Sequence, residues 1–265
     1  MPNKRSGVIT LLTDFGSRDH FVGVMKGVIL GLAPRARVVD ISHEAPAYGL
    51  SAARFLLSQS WPWFPAGTVH VVIVDPGVGS ARRALVVEAG GHLFVGPDNG
   101  VLSEPLQIKG AKVRQITNRK LCLKEISQTF HGRDVFAPVA AHLAAGLAAS
   151  RVGPLIQDAH FVTTGAPVRT GKRYWQGEVA YVDRFGNLIT NLPAADFPEI
   201  AVRPFILRAG FEQITELKPN YAAGSPGEAI LVAGSSGRLE IAINQGDAAR
   251  KLGLAAGSPI ELELG

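Results

Sequence analysis

The 265-residue chain changes its hydrophobic period once, near residue 165, and that change limits what it can fold into. Before it, short apolar strand patterns alternate with helical ones. GVITLLT (7–13) reads as a strand and FVGVMKGVILGLA (21–33) as a helix stopped by Pro34. RVVDI (37–41) and GLSAARFLLSQS (49–60) repeat the pair. TVHVVIV (68–74), ALVVEA (84–89) and HLFVG (92–96) are further strands. VFAPVAAHLAAGLA (135–148) is a long helix with Asp134 as its expected N-cap. Such alternation predicts an α/β fold, a mainly parallel sheet sandwiched between helices. After the expected linker TTGAPVRTGKR (163–173) the helical period vanishes. YWQGEVAYVD, GNLITNL, RPFILRA, EAILVAG, GRLEIAIN and PIELEL are short strands cut by Gly, Pro, Asn and Asp, the pattern of a smaller all-β barrel. The expected organisation is an αβα sandwich domain over residues 1–165 and a β-barrel domain over residues 174–265.

Composition removes several classes of function. A 46% hydrophobic chain with 18% charged residues and no long charge run can bury a core, which excludes a disordered protein. The net charge of +5 invites a nucleic-acid partner, yet the 27 Lys and Arg are scattered and no basic segment is interleaved with aromatics. The single Cys122 excludes an intramolecular disulfide and a cysteine zinc cluster, as suits a reducing cytoplasm. Lys4 and Arg5 precede only the short run GVITLL, so no signal peptide is expected, and no apolar stretch reaches spanning length. The expectation is a cytoplasmic protein with neither nucleic-acid nor membrane partners.

Three acids of the first domain fall at strand ends: Asp14 after GVITLLT, Asp75 after TVHVVIV, and Asp98 after HLFVG-Pro97. One such Asp is explained by turn capping; three at one sheet edge point to a polar ligand, because open α/β sheets place ligands beyond their strands' carboxyl ends. GxGxxG and GxxxxGK are both absent, so the common dinucleotide and phosphate cradles are not used. Asp75 opens VDPGVGSARR with Arg82 seven residues on, and TFHGRD places His131 just before a helix. The other six histidines (20, 43, 70, 92, 142, 160) fall in stretches read as strands or helices, where a structural role is the default. A helix N-terminus disfavours imidazolium, leaving His131 neutral and able to accept a proton. Asp75, Arg82 and His131 together suit a site that holds and activates one water. A metal on Asp14, Asp75, Asp98 and His131 is a further option, though no paired motif such as HExxH supports it.

TDFG, VDPGVGSARR, PDNGVL, TFHGRD, DRFGNLITN and GSSGRLEIAIN, in that order, resemble the S-adenosyl-L-methionine (SAM) hydroxide adenosyltransferases, relatives of the fluorinases and chlorinases. The resemblance spans both expected domains. It implies hydrolysis of SAM to adenosine and L-methionine, no cofactor, and a homotrimer with sites at subunit interfaces. The family's water-activating set falls on Asp75, Arg82 and His131. Asp14 matches the carboxylate that takes the ribose hydroxyls, and Tyr48 an aromatic that packs on the ligand. Asp183 and Asn187 match contacts to the amino-acid end and the adenine, and Ser235 a contact to the methionine carboxylate. Two departures stand out. The DRFGN segment is one residue shorter than in the halogenases, and Ser236 stands where they carry the Arg after the carboxylate-binding Ser.

A sulfonium makes methionine a neutral leaving group, so the sulfur needs no acid; water, a poor nucleophile, must be positioned and relieved of a proton. His131 is the expected base, with Asp75 orienting or sharing the proton and Arg82 stabilising hydroxide-like charge. Two rivals are a halide adenosyltransferase and a non-catalytic SAM- or adenosine-binding module. The halogenases carry Tyr at the position of Asp75 and Tyr-Ser at those of His131 and Gly132, which favours water here.

Overall fold

The structure, a computed structural model, describes residues 5–163 and 165–265; the expectations resting on Lys4 and on Thr164 of the linker lie outside them. The chain divides into two compact units, at residues 163 and 164.

The first unit is built on a seven-stranded sheet. Its strands are β1 (Val8–Thr13), β2 (Arg37–Ser42), β3 (Val69–Ile73), β4 (Ala84–Ala89), β5 (His92–Pro97), β6 (Lys112–Gln115) and β7 (Leu155–Ile156), in the spatial order β2-β1-β3-β5-β4-β6-β7. The pairs β1–β2, β1–β3 and β3–β5 are parallel, whereas β4–β5, β4–β6 and β6–β7 are antiparallel. The sheet is therefore mixed rather than mainly parallel. Gly90-Gly91 explains the change: with φ of +57° and +82° they close a tight β4–β5 hairpin, leaving no chain for a crossover.

Side-chain alternation gives the sheet two buried faces. Ile9, Leu11, Val69, Val71 and Ile73 pack with Met25 and Ile29 of α1 (Phe21–Leu32) and Val139 and Leu143 of α4 (Ala137–Ala144). Leu12, Val72, Val74, Leu85 and Phe94 pack with Ala53 and Leu57 of α2 (Leu50–Ser60) and with Leu102, just before the short α3 (Ser103–Leu106). The αβα layering is thus present. The last helix opens differently from expectation: Gly132–Phe136 forms a π turn with His131 at its N-cap position, and Asp134 lies inside that turn. Fully buried, Asp134 accepts the Ser127 amide at 2.8 Å and Arg133 Nε at 2.6 Å, so it secures the preceding loop rather than capping the helix.

Parallel register brings the strand ends level. Thr13 lies opposite Ile73, and Val71 opposite Val95, so Asp14, Asp75 and Asp98 leave the sheet at one edge. His20, His43 and His160 lie outside the regular elements, whereas His70, His92 and His142 lie within them.

The second unit is one curled sheet of short strands: β8 (Val168–Arg169), β9 (Tyr174–Val182), β10 (Leu188–Pro193), β11 (Phe205–Ala209), β12 (Glu212–Ile214), β13 (Leu217–Lys218), β14 (Ala229–Ala233), β15 (Arg238–Ile243) and β16 (Pro259–Leu264). The ladder runs β12-β11-β16-β9-β10-β15-β14-β13, with β8 on β9. It curls round Leu188, Leu207, Leu231, Leu239, Ile241 and Leu262. Among the described residues no ladder joins β12 to β13, so the sheet is an open half-barrel rather than a closed barrel. Part of the expected linker is strand: Val168 and Arg169 pair with Gln176 and Trp175.

Candidate active site

Asp75 and His131, 56 positions apart in sequence, are joined by Arg82. Arg82 Nε donates to Asp75 Oδ1 at 2.9 Å, Nη2 donates to Asp75 Oδ2, and Nη2 also donates to His131 Nδ1 at 2.8 Å. Both charged side chains are enclosed: Asp75 is 4% and Arg82 9% exposed. The guanidinium carbon lies 5.3 Å from the centre of the Phe136 ring, which walls the pair on one side. Gly79 makes the meeting possible. Its φ is +77°, and a Cβ there would fall 2.1 Å from the carbonyl oxygen of Gln128, so only glycine lets the 75–82 loop lie against the loop that carries His131.

The hydrogen-bond pattern sets the tautomer of His131. A guanidinium only donates, so Nδ1 must accept, and the proton of the neutral ring sits on Nε2. Burial, and then the charge of Arg82, push the imidazole below its ordinary value, with Asp75 pulling the other way. The ring is thereby kept neutral, but its free nitrogen offers a proton rather than a lone pair. Each Asp75 oxygen accepts one Arg82 proton and, as a carboxylate oxygen, has capacity for another.

Asp14 and Tyr48 also meet. The Tyr48 amide donates to Asp14 Oδ2 at 2.9 Å, and Tyr48, 71% exposed, has the left-handed φ of +64° that a non-glycine residue rarely adopts. A network beneath holds the loop. Thr13 Oγ1 accepts the Phe15 amide at 3.2 Å and lies 2.8 Å from His43 Nδ1, while the His43 carbonyl accepts the Gly16 amide at 2.7 Å. Asp14 Oδ1 has no partner among the described residues. Asp98 does not join these residues. Arg83 Nε donates to its Oδ2 at 2.7 Å and the His160 amide to its Oδ1 at 2.7 Å. Among the described residues, no three or more of the His, Cys, Asp and Glu side chains form a group able to hold a metal ion.

In the second unit Asp183 and Asn187 form a closed turn. Asp183 Oδ1 accepts the amides of Phe185 and Asn187, each at 2.9 Å, and Oδ2 accepts Asn187 Nδ2 at 2.9 Å. Phe185, Asn187, Tyr221, Gln245 and Asp247 line a cavity of about 570 Å³. Tyr221 and Glu240 were not expected from sequence. The Tyr221 hydroxyl donates to Glu240 Oε1 at 2.7 Å, and both groups feel the charge of Asp183. Burial first, then that bond, push the Tyr221 hydroxyl up to about 12. Burial and Asp183 push the Glu240 carboxyl above its ordinary value, against the pull of the Tyr221 bond. Tyr221 lies in no motif, and Glu240, though inside GSSGRLEIAIN, meets Tyr221 only through the fold of the second unit. Ser235 is exposed at the β14–β15 turn.

Sequence profiles describing the SAM hydroxide adenosyltransferase N-terminal and C-terminal domains match residues 9–153 and 177–261. The chain belongs to the SAM hydroxide adenosyltransferase family. It is 37% identical to an (R)-S-adenosyl-L-methionine hydrolase of Salinispora tropica, over 97% of this chain and 98% of that one. It is 38% identical to one of Thermus thermophilus, over 96% and 98%. A fluorinase of Actinoplanes is more distant, at 25% over 97% of each chain. Among solved structures, an uncharacterised conserved protein of Thermotoga maritima superposes with a TM-score of 0.90 at 39% identity, covering 96% of this chain and 99% of that one. Membership of this family makes the chain an enzyme acting on SAM.

Proposed function

We propose that this enzyme hydrolyses SAM to adenosine and L-methionine by attack of a water on C5′, the water being held at Asp75, Arg82 and His131. The observation that carries the reading is the continuous Asp75–Arg82–His131 network, on a chain whose full-length relatives at 37 and 38% identity are SAM hydrolases. The substrate epimer follows the relatives' names: SAM of (R) configuration.

In this mechanism Asp75 is the proton acceptor. As water attacks carbon it becomes an oxonium, a strong acid, so a carboxylate that is only weakly basic suffices. His131 is a donor: its Nε2–H orients the water while Nδ1 fixes the Arg82 fork. Arg82 holds Asp75 and His131 in place around the water. Asp14 takes the ribose hydroxyls through its open oxygen, Tyr48 packs on the ligand, and Asn187 contacts the adenine from the wall of its cavity. Asp183 and Ser235 serve the amino-acid end. A homotrimer belongs to the same reading, checked by native mass measurement.

Incubation in heavy-oxygen water tests the chemistry: the label should enter the adenosine 5′-hydroxyl, and EDTA should leave turnover unchanged. Formation of a 5′-halogenated adenosine in chloride or fluoride would instead establish the halide reaction. SAM that binds and is recovered intact would leave a binding module.

A further inference from the structure

The turn that carries Asp14 is anchored from beneath by His43, and a slip in strand pairing puts that histidine there. β1 and β2 run parallel, with Leu11 opposite Asp40 but Leu12 opposite Ser42, so Ile41 is an extra residue in β2. Unslipped pairing would have set Thr13 against Ser42. The slipped register carried one step further brings Thr13 level with His43, and their side chains meet at 2.8 Å.

His43 is 9% exposed, and both its side chain and its backbone hold the turn. Its Nε2 lies 3.0 Å from Asp40 Oδ1, a contact too bent for an aligned hydrogen bond but close enough for the carboxylate to favour a proton on that nitrogen. Asp40 is held in turn by Lys26 of α1, whose Nζ donates to Oδ2 at 2.6 Å. His43 Nδ1 is then the acceptor, and the Thr13 hydroxyl donates to it while accepting the Phe15 amide at 3.2 Å. The His43 carbonyl takes the Gly16 amide at 2.7 Å. Residues 13, 15 and 16 are thus tied to His43, directly or through Thr13. They enclose Asp14, whose Oδ2 accepts the Tyr48 amide and whose Oδ1 has no partner among the described residues.

We propose that His43 is a positioning residue for ribose recognition: acting through Thr13, it sets the Asp14 carboxylate where it takes the ribose hydroxyls. This rests on the assignment of Asp14 to the ribose. A carboxylate meets two vicinal hydroxyls in a narrow range of geometries, and a displacement of about 0.5 Å already weakens the contact. Removing the anchor therefore costs discrimination at the ribose, beyond any cost in stability.

Calorimetric binding of adenosine and of 2′,3′-dideoxyadenosine tests this, because the two differ only in the hydroxyls. Neither contains the bond that is cleaved, so the outcome does not depend on the hydrolase reading. Wild-type enzyme should bind adenosine roughly 10–100-fold more tightly, the worth of hydrogen bonds to a charged group. Asp14→Ala should abolish that preference. His43→Ala and Thr13→Val should each reduce it by roughly 3–10-fold, a part of the same contact, and leave the affinity for 2′,3′-dideoxyadenosine unchanged. His43→Asn, whose side-chain oxygen can accept the Thr13 hydroxyl in place of Nδ1, should restore part of it, as should Thr13→Ser. A histidine that serves stability alone would lower the melting temperature and leave the preference intact. An intact preference in folded His43→Ala, beside its loss in Asp14→Ala, overturns the proposal and leaves the Asp14 assignment standing. Should His43→Ala not fold, Thr13→Val decides in the same way. No preference in the wild type, or an intact one in Asp14→Ala, overturns both.

Discussion

Arg82 and Arg83 are adjacent and each pairs with an acid at the same sheet edge, but their networks end differently. Arg83 ends in a closed set: Nε on Asp98, Nη1 on Asp158 Oδ1 at 2.8 Å and Nη2 on the Asp158 carbonyl at 2.6 Å. Both Asp98 oxygens are taken, one by Arg83 and one by the His160 amide. That set straps the 158–160 segment to the sheet. Arg82 ends on an imidazole whose Nε2 has no partner among the described residues, so its network has an outlet. An acid–guanidinium pair is therefore structural when every polar atom at its end is taken, and a candidate for chemistry when it ends on a group with an atom left to offer a ligand.

The largest expected effect sets Asp75 against Asp98. Asp75→Asn keeps shape and part of the Arg82 contact but removes the proton acceptor, so turnover should fall roughly 10²–10⁴-fold with SAM affinity nearly unchanged. Asp98→Asn should leave turnover per folded molecule within about threefold and lower stability by about 1–3 kcal/mol, read from the urea midpoint, because it weakens a closed network. Folded Asp98→Asn enzyme as impaired as Asp75→Asn would erase the distinction.

Next come the arginines. Arg82→Lys keeps the charge but cannot reach Asp75 twice and His131 once, so turnover should drop roughly 10–10²-fold. Arg83→Lys should leave turnover alone and lower the unfolding midpoint instead. Equal kinetic losses in the two variants would mean that both networks serve the reaction.

Sequence carried much of this, for identifiable reasons. Strand-end position and spacing pointed to Asp75, Arg82 and His131, and parallel register does place Asp14, Asp75 and Asp98 at one edge. Asp98 looked equivalent because its closure depends on Asp158 and His160, more than 50 positions away. The expected base role of His131 followed from a helix N-terminus, whereas its tautomer depends on which Arg82 nitrogen it meets, and spacing does not encode that. The mixed sheet was hidden because β6 and β7 are short, and antiparallel strands resemble parallel ones in composition. Tyr221 carries no motif, and the motif around Glu240 does not reveal that the two meet, because they are brought together only by the fold of the second unit.

A smaller effect separates donor from base at His131. His131→Asn keeps an oxygen able to accept from Arg82, so it should retain roughly tenfold more turnover than His131→Ala, the worth of one hydrogen bond to a charged group. If the imidazole itself takes the proton, Asn and Ala should be equally poor.

The smallest effect is a displacement along the pH axis. Burial and Arg82 favour the neutral ring, so His131 titrates below its ordinary value of 6.5. As pH falls through 6.5 the imidazole should stay neutral and turnover stay level. Activity should decline only lower, where a proton on Nδ1 confronts the Arg82 N–H and drives the pair apart. Arg82→Ala removes the second-largest of the lowering causes and leaves burial and the weaker charge of Arg119, so the His131 titration followed by NMR should move up towards 6.5. The Asp98 strap supplies the control, since Arg83→Ala should leave that titration where it was. A wild-type acid limb centred at or above 6.5, coincident with His131 protonation, would show that Arg82 does not hold the ring neutral and would return the base role to the imidazole.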